Sequence, residues 1–410
     1  MVLPIRSVAA PVVGVARNTW DLAVDKALRM ESEYSWWVDS FQNDAGTLTD
    51  RQMFSAAYSA AAAQTTPPML KFGPREYDLS ASATTGYNPF PGFAFCGSEY
   101  SGLSTIEQGS AGSKTRILAN TGDGTQSFIY ANTGGDVYSP LTCHNIAFRS
   151  TNGVSQWLHA PISTTNMYGM TLGNLEFTGF YRCIGQPNNA ATVTLFTMWG
   201  AWNIPNMAGT PISIRGSDNW LVPDECNIGW NAGPAGEYLV RLENVQKTWL
   251  RGFYLTCRLG GTRALLVDNG ASATQGGLFV SDCVIEGQNL SEPAAGALIV
   301  VNANGVVSLD RIALNFAKMN ATQLPSDTAY IMATLGTHGL LNVHDVTVTR
   351  ASGQSQNIPI IAQTGGGKVS AGRIFGQPGN GAANGQLWTD LPVVTSSAGY
   401  MEIDNTLRMG

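Results

Sequence analysis

The sequence predicts an all-β protein, a solenoid in which successive coils of the chain stack as parallel strands. Three observations support this prediction. Glycine accounts for 46 of the 410 residues while charged residues make up only 13%, which is typical of turn-rich β proteins. Apolar and polar residues alternate with a period of two, as they do in half-buried strands. The alternating segments recur roughly every 30 residues, the spacing of a stacked repeat.

Composition also excludes several classes of partner and site. The net charge is −6 and Lys and Arg form no cluster, so the sequence predicts no nucleic-acid partner. No apolar run approaches the ~20 residues of a membrane span. Pro4 and Pro11 interrupt the apolar N-terminus, which argues against a signal peptide and predicts a protein made in the cytoplasm. The six cysteines form no CxxC pair, so we expect buried thiols, no metal site and no cofactor.

Residues 1–43 form the first predicted unit. Residues 1–17 are apolar and extended, and Asn18 and Thr19 suit the N-cap of a helix that begins at Trp20. A helix with an exposed apolar face requires a partner. That partner is either another chain or the solenoid of the same chain. The apolar seam and the aromatic pair that follows it comprise Trp20, Val24, Ala27, Tyr34, Val38, Trp36 and Trp37.

Residues 44–115 form the opening coils, with a capping helix predicted over residues 49–64. Thr49 and Gln52 fit a capping box, and Pro67-Pro68 ends the helix. A solenoid exposes apolar interior and unpaired strand edges at its end, and we expect this helix to cover them. Its apolar stripe consists of Met53, Phe54, Ala57, Tyr58 and Ala61.

Residues 116–376 contain the repeats and form the predicted body. In each clear copy, such as residues 141–148, two short apolar strands are separated by two polar or turn residues. Asn, Asp or Gly at the second separating position permits a non-standard backbone turn, and stacked Asn side chains can form a hydrogen-bonded ladder. Roughly nine coils would form a rod ~45 Å long. The second separating positions are 145, 174, 244, 282, 311, 345 and 373.

A β-sandwich is the alternative to the solenoid, because its strands also alternate. A sandwich needs hairpin turns about every 8–12 residues, and the longer repeat found here favours the solenoid. Residues 377–410 lose the repeat. We expect a turn-rich connector there, followed by one or two strands that close the rod or bind a neighbouring chain.

The opening coils also carry a family resemblance. A D-x-G-x-x-x-D pattern at residues 44–50, a helix, and an apolar strand followed by glycine and tyrosine at residues 70–77 resemble the pectate-lyase-like right-handed β-helix superfamily. The resemblance covers roughly residues 44–376. Because of the unit that precedes it, the chain is similar to the phage tailspikes and tail fibres, the minor tail proteins of that superfamily.

This resemblance implies a right-handed coil and a homotrimer. It implies a place in the virion tail, where the N-terminal segment would attach to other tail or baseplate proteins. The protein would then bind the surface of the bacterial host, through a glycan. Lyases of the superfamily use Asp-bound calcium and a basic residue, and the sequence holds no Asp-rich cluster for calcium.

Two kinds of residue could act on a glycan. Cleavage usually takes two carboxylates about 5–10 Å apart, and the candidate pairs are Asp282 with Glu286 and Glu176 with Glu243. His144 and His344 share a register position, and a histidine can act as a base. Each of these residues is more often a solvated side chain, so the sequence assigns none of them a catalytic role. The carboxylates on or near predicted strands are Glu176, Glu243, Asp282, Glu286, Asp310 and Asp345.

Tryptophan provides the candidate glycan-binding residues. Aromatic faces stack on sugar rings, and Trp199, Trp202, Trp220 and Trp230 lie in the loop-rich middle of the chain. Such residues also pack under loops or between subunits. The sequence thus predicts a host-surface binding protein, with a glycan depolymerase (hydrolase or lyase) on the same scaffold and a purely structural tail component as alternatives.

Overall fold

The structure is a computed structural model and is a right-handed parallel β-helix. In part of these ranges only the backbone is described. The residues that the structure describes are 35–80, 86–98, 115–122, 127–131, 135–159, 166–185, 191–207, 209–230, 238–257, 263–269, 277–288, 298–318, 329–349, 360–377, 394–396 and 400–403.

Strands dominate these ranges, with one α-helix, α1 (Asp50–Ala62), and one 3-10 helix, Val38–Phe41. The strands in chain order are β1 (Ser35–Trp37), β2 (Met69–Lys71), β3 (Glu76–Asp78), β4 (Ala94–Cys96), β5 (Arg116–Leu118), β6 (Ser127–Tyr130), β7 (Asp136–Tyr138), β8 (Thr142–Arg149), β9 (Gln156–His159), β10 (Asn166–Tyr168), β11 (Thr171–Thr178), β12 (Arg182–Ile184), β13 (Ala191–Thr194), β14 (Thr197–Met207), β15 (Ile212–Ser217), β16 (Trp220–Leu221), β17 (Glu225–Trp230), β18 (Tyr238–Gln246), β19 (Thr248–Arg251), β20 (Phe253–Cys257), β21 (Arg263–Asp268), β22 (Leu278–Gln288), β23 (Ile299–Ala303), β24 (Val306–Lys318), β25 (Ile331–Leu335), β26 (Leu340–Thr349), β27 (Ile361–Gly365), β28 (Lys368–Gln377), β29 (Val394–Ser396) and β30 (Tyr400–Ile403).

The pairing between these strands is that of stacked coils. Sheet 1 contains 17 strands, and sheet 2 stacks ten strands in the order β6, β9, β12, β15, β18, β21, β23, β25, β27 and β29. A short sheet 3 joins β7, β10 and β13. Every strand pairing between described residues is parallel, and a parallel neighbour requires a crossover rather than a hairpin. The sandwich alternative is therefore wrong.

The turn inside each clear copy of the repeat has left-handed backbone at its second separating position. All seven positions singled out in the repeat have positive φ, from 47° at Asn244 to 61° at Asn145. Asn174 Nδ2 donates to Asn145 Oδ1 at 3.0 Å across one coil, and Asn174 Oδ1 accepts from the Ala201 backbone N–H at 2.9 Å. The predicted amide ladder is present for this pair.

One copy of the repeat lies in a different sheet from the others. Asn244 is in β18 of sheet 2, paired with β15 and β21. Of the three sheet 1 turns between residues 174 and 282, two have glycine with positive φ, Gly200 and Gly252, and the third, between β16 and β17, has no residue with positive φ among its described residues. Alternation together with an Asn-centred turn occurs in both sheets, so the pattern alone cannot distinguish them.

Further along the turn column, charged side chains replace the amides. Arg311 donates from Nε to Asp282 Oδ1 at 2.6 Å and from Nη2 to Oδ2 at 3.0 Å, and Arg251 also contacts Asp282 at 2.8 Å. Arg373 donates to Asp345 at 2.5 Å. The turn positions Asp282, Arg311, Asp345 and Arg373 thus alternate in charge along the rod.

The predicted capping helix is confirmed. Thr49 is the N-cap and forms a capping box with Gln52, and the helix runs over Asp50–Ala62. Phe54 is fully buried and packs against the rings of Phe72 at 5.3 Å and Tyr87 at 4.6 Å. The helix therefore buries its apolar face on the first coils.

The aromatic pair of the predicted N-terminal unit lies in a strand. Ser35–Trp37 pairs with Met69–Lys71 as the first strand of sheet 1, and Val38, predicted on the apolar seam, begins the 3-10 helix. Trp36 and Trp37 therefore lie in extended backbone beside the first coil, where Trp36 packs against the core. Residues 1–34 lie outside the described part of the chain.

Strand stacking also continues beyond the predicted body. Val394–Ser396 pairs with β27 and Tyr400–Ile403 pairs with β28. All six cysteines are buried and none forms a disulfide, as expected for thiols used as small apolar residues. In the ranges given above, no helix combines the length and the apolar character that a membrane span requires.

Candidate functional site

The outer face of sheet 1 brings the candidate residues together. Along each strand, side chains alternate between the core and the outside. Pairing then aligns Thr142, Thr171 and Thr197 in one outward column that continues to Trp220. Two residues further along the strands, a second column contains His144, Gly173 and Trp199. We call these side chains the threonine–tryptophan surface; it consists of Thr142, Thr171, Thr197, His144, Trp199 and Trp220.

Trp199 lies flat on the preceding coil. A Cβ added to Gly173 would stand 2.1 Å from Cε2 and 2.5 Å from Nε1 of the indole, so only glycine leaves room for the ring. One face of the indole covers Gly173, and the residue remains 38% exposed. The site therefore presents an aromatic face that points away from the rod.

Trp220 stands at the downstream end of the threonine column. Its ring stacks on Trp249 with centroids 4.3 Å apart and planes 11° apart, and Trp249 stacks on Phe279 at 5.7 Å and 16°. The register neighbour on the other side is the small Thr197, and Trp220 is 49% exposed. One ring face is therefore covered by Trp249, while the other borders the threonine column.

The threonines supply hydroxyl groups between these rings. Thr142, Thr171 and Thr197 are half-buried on successive coils, about 4.8 Å apart. Among the residues that the structure describes, none of their hydroxyls forms a hydrogen bond. Each hydroxyl can donate one hydrogen bond and accept two. The column is thus a row of unused donors and acceptors beside two aromatic faces.

His144 borders the same surface. Its ring centroid is 6.0 Å from that of Trp199, and its Nδ1 is buried with no hydrogen-bond partner in the described part of the chain. Burial lowers the pKa of the imidazole below its usual value. The ring is therefore neutral near pH 7, and Nε2, the nitrogen that is not buried, can serve a ligand as a donor or an acceptor, depending on the tautomer.

The other tryptophan candidates do not join this surface. Trp202 is fully buried and its Nε1 donates to the backbone oxygen of Trp199 at 2.9 Å, so the prediction that it contacts a ligand is wrong. Trp202 lies four residues after the buried Met198 and two before the buried Ile204, so the period of two places its side chain in the core, whereas that of Trp199 points outward. The side chain of Trp230 lies outside the described part of the chain.

The carboxylate candidates are engaged in structural contacts or separated from one another. Asp282, Asp310 and Asp345 are ion-paired with arginines. Glu286 is buried and accepts a hydrogen bond from Tyr254. Four residues of strand separate it from Asp282, a span of about 13 Å that exceeds the ~5–10 Å of a catalytic pair.

The second carboxylate pair is divided between sheets. Glu176 lies in β11 of sheet 1, whereas Glu243 lies in β18 of sheet 2. Glu243 instead has Asp268 as its register neighbour on the next coil. Arg215 contacts Glu243 at 3.3 Å, and Arg241 also pairs with it. In the ranges that the structure describes, no group of three or more His, Cys, Asp or Glu side chains could hold a metal ion.

Sequence patterns did not reveal the threonines, Gly173 or Asp268 as site residues. Threonine is common on strands and is informative here only after the copies are placed in register. Aligning the copies around 145, 174 and 200 superposes Thr142, Thr171 and Thr197. Gly200 lies between the clear copies, which hides that alignment.

Comparisons with known proteins concern the fold. No family model matches the chain, and no curated protein matches its sequence. The crystal structure of DFA-IIIase from Arthrobacter chlorophenolicus A6 in complex with GF2 is similar, with 11% identity over 91% of this chain and 93% of that chain and a TM-score of 0.59.

Two further structures cover the chain to a similar extent. A second crystal structure of DFA-IIIase from the same organism is 12% identical over 90% of this chain and 94% of that chain, with a TM-score of 0.53. The A-module of the Azotobacter vinelandii mannuronan C-5 epimerase AlgE4 gives 10% identity, 91% and 95% coverage and a TM-score of 0.46. The likeness to DFA-IIIase shows that this chain has the same β-helix fold.

Proposed function

We propose that this protein binds a glycan of the bacterial surface through the threonine–tryptophan surface, as a tail fibre or tailspike of the minor tail protein kind. The observation that carries this proposal is the pair of accessible aromatic faces, on Trp199 and Trp220, beside a row of unused hydroxyls. Sugar rings offer C–H faces to aromatic rings and hydroxyls to polar groups. The sequence resemblance to tailspikes supports the choice of host and partner.

Preorganisation strengthens the case for Trp199. Gly173 leaves room for the Trp199 ring to lie flat on the preceding coil. The hydrogen bond from Trp202 Nε1 to the Trp199 backbone oxygen holds the backbone that carries the ring. A ring fixed before binding loses little rotamer freedom when a ligand arrives, and such ordering otherwise costs about 0.5–1.5 kcal/mol per side chain. The exposed indole face also offers a large apolar area that the C–H face of a sugar ring can cover. Both terms favour sugar binding at this position.

A binding experiment with matched variants tests the proposal. Envelope polysaccharides from candidate host bacteria are immobilised, and binding of the full chain is compared with that of Trp199→Ala and Trp220→Ala. We expect each variant to lose affinity by about tenfold or more, since about 1.4 kcal/mol corresponds to tenfold. Met332→Ala removes an equally exposed apolar side chain from sheet 2 and should bind as the parent does.

The outcomes separate the competing functions. Labelled protein that coats intact host cells, with coating lost in both tryptophan variants, agrees with host recognition. A protein that never coats cells and retains no envelope glycan would instead be a purely structural tail component. Unchanged affinity in both variants, with binding present, would assign the glycan to another surface.

A second candidate function is glycan depolymerisation, favoured by the Glu243–Asp268 neighbours. Their Cα atoms occupy one register position on adjacent coils, about 4.8 Å apart, and rotation of the two side chains from these positions would bring the carboxyl groups to the ~5–5.5 Å spacing of retaining glycosidases. Asp268 would protonate the leaving oxygen while Glu243 attacks the anomeric carbon. Water, deprotonated by Asp268, would then release the sugar from Glu243.

Product analysis distinguishes this function from binding alone. Incubation with the bound glycan should generate new reducing ends that disappear in Glu243→Gln and Asp268→Asn, whereas Trp199→Ala should lose activity through affinity. Unsaturated sugars among the products would indicate a lyase. A glycan recovered at its original length leaves the protein as a binding protein.

A further inference from the structure

The charge of the threonine–tryptophan surface indicates the kind of glycan it would bind. Between Cys96 and Trp220, the two outward columns carry hydroxyl, indole, imidazole and thiol groups and small residues, with no Lys, Arg, Asp or Glu. The bordering turn column also begins with uncharged residues, Asn145, Asn174 and Gly200. The side chains of the surface are uncharged although the chain as a whole carries −6, and the charged residue at its downstream edge is an anion, the exposed Asp224, whose backbone N–H donates to Gly200 O at 2.9 Å.

The nearest described cations either lie at the edges of the threonine–tryptophan surface or form ion pairs with aspartates. Arg251 follows two coils downstream of Trp199 and is paired with Asp282 at 2.8 Å. Lys247 pairs with Asp218 at 3.7 Å beside the Trp220 strand. Lys71 is two coils upstream of His144, about 9.6 Å away along the rod. Arg116 and Arg149 lie across the Asn145 turn, on the strand segments that follow it.

His144 does not supply the missing charge. The titratable side chain packed nearest to it in register is the buried Cys96 thiol, whose pKa is raised by burial. Its other register neighbour is Gly173, and Trp199 lies beyond. Nothing that faces the imidazole in the described part of the chain favours its protonation.

An anionic sugar placed here would lose hydration without gaining a counter-charge. Burying an ionised carboxylate without a partner costs far more than burying a hydroxyl that finds a hydrogen bond. Hydroxyls of a neutral sugar, in contrast, match the three threonine hydroxyls and the imidazole. The balance of desolvation therefore discriminates against acidic residues at this surface.

Resting on the proposed function, we infer that the sugar residues contacting the threonine–tryptophan surface are uncharged, that is, neutral hexoses or their N-acetyl derivatives rather than uronic acids, sialic acids or phosphorylated sugars. An acidic repeat could still belong to the same polymer, provided that the acidic residue faces solvent. The inference concerns the contacted residues.

Salt dependence and chemical reduction test this inference with the full-length chain. Binding to a panel of neutral and acidic bacterial polysaccharides is measured at about 50 mM and about 500 mM NaCl, between which the Debye length falls from roughly 14 Å to roughly 4 Å. We expect the retained glycans to be neutral, with affinity changing by less than about twofold, because no ion pair is screened.

Two variants provide an internal charge probe. Thr171→Lys and Thr171→Asp place opposite charges in the middle of the column, and with a neutral ligand both should weaken binding to a similar extent. If Lys strengthens binding and Asp abolishes it, the contacted residue is anionic. Carboxyl reduction of any acidic glycan that binds gives the matched neutral ligand, and its binding should equal or exceed that of the acidic form.

The failures of the inference and of the proposed function are distinguishable. Preference for an acidic glycan that falls about tenfold or more with salt, and that is still lost in Trp199→Ala, overturns the neutral-ligand inference and leaves glycan binding intact. Absence of binding to every polysaccharide at both salt concentrations overturns both.

Discussion

At the scale of single residues, the left-handed turn column explains most of the regularity. A non-Gly residue with positive φ costs roughly 1–2 kcal/mol, and two kinds of contact offset that cost along the turn column. Asn174 does so with side-chain hydrogen bonds to Asn145 and to the next coil. Arg311 does so with a bidentate contact to Asp282.

The residue types at these turns were predictable only in part. Asn and Asp tolerate left-handed backbone through local side-chain hydrogen bonds, so Asn145, Asn174 and Asp282 signal the turn directly. Arginine has no such preference. Arg311 and Arg373 could be placed only because their neighbours repeat in register, and their ion pairs required the structure.

Replacement of Asn174 should separate the contribution of its side-chain hydrogen bonds from that of backbone strain at the turn. Asn174→Ala loses both side-chain hydrogen bonds and keeps a strained backbone, so we expect a loss of roughly 2–3 kcal/mol in the free energy of unfolding. Asn174→Gly relieves the strain and should recover about 1 kcal/mol. Chemical denaturation of both variants measures the difference; equal losses would contradict a backbone contribution.

Tyr254 provides a spectroscopic prediction. Burial, together with its hydrogen bond to Glu286, raises the pKa of Tyr254 to about 12. Because the folded-state pKa lies above the unfolded value near 10, this phenol stabilises the fold below about pH 10 and the contribution is lost as pH rises to about 12. A difference ultraviolet titration against Tyr254→Phe should show the missing transition near pH 12, and a transition near pH 10 would contradict the contact.

At the scale of elements, the capping helix was the element that the sequence predicted most directly. The capping box, the apolar stripe and the proline break all occur within residues 49–68, so local rules are sufficient. The first strand of the solenoid could not be predicted in this way. Ser35–Trp37 becomes a strand only because Met69–Lys71 pairs with it, and that contact spans more than thirty residues of sequence.

The first coil is also held by polar contacts that sequence patterns did not reveal. Arg75 contacts Asp39 at 2.6 Å and Asp50 at 2.8 Å, while its guanidinium lies 3.6 Å from the ring centroid of Tyr77. The Tyr77 hydroxyl donates to Asp39 at 2.8 Å. These contacts join α1, the 3-10 helix and β3.

Removal of the helix cap should therefore have a measurable but limited effect. Thr49→Ala leaves the backbone N–H of Gln52 without its acceptor at 3.3 Å, and we expect a loss of about 1 kcal/mol in the free energy of unfolding. Thr49→Ser keeps the hydroxyl and should retain the parent stability. A loss of less than about 0.3 kcal/mol in the alanine variant would mean that packing of Phe54 alone fixes the helix start.

At the scale of the whole molecule, periodicity predicted the architecture better than the site. Stacked coils follow from a repeat that is visible in the sequence itself. The threonine–tryptophan surface depends instead on which coils adjoin, and one unrecognised copy at Gly200 was enough to hide it. Trp199 and Trp202 differ by three residues in sequence, yet one faces solvent and the other the core.

The assembly state is the prediction that belongs to this scale. If the protein is a tailspike or tail fibre, light scattering of the purified chain should give three times the mass of one chain, independent of concentration. Trp199→Ala should leave that mass unchanged, since the surface is proposed to face the ligand. A monomeric chain would remove the tail-fibre part of the proposal, although glycan binding could persist.

The alternation of Asp282, Arg311, Asp345 and Arg373 also constrains how such a rod can change length. Excision of the single turn that carries Asp345 would place Arg311 and Arg373 on adjacent coils, about 4.8 Å apart, where their like charges would repel. Excision of two consecutive turns would again place an aspartate next to an arginine on adjacent coils. In this stretch, evolution can shorten or lengthen the rod more readily by pairs of turns than by single ones.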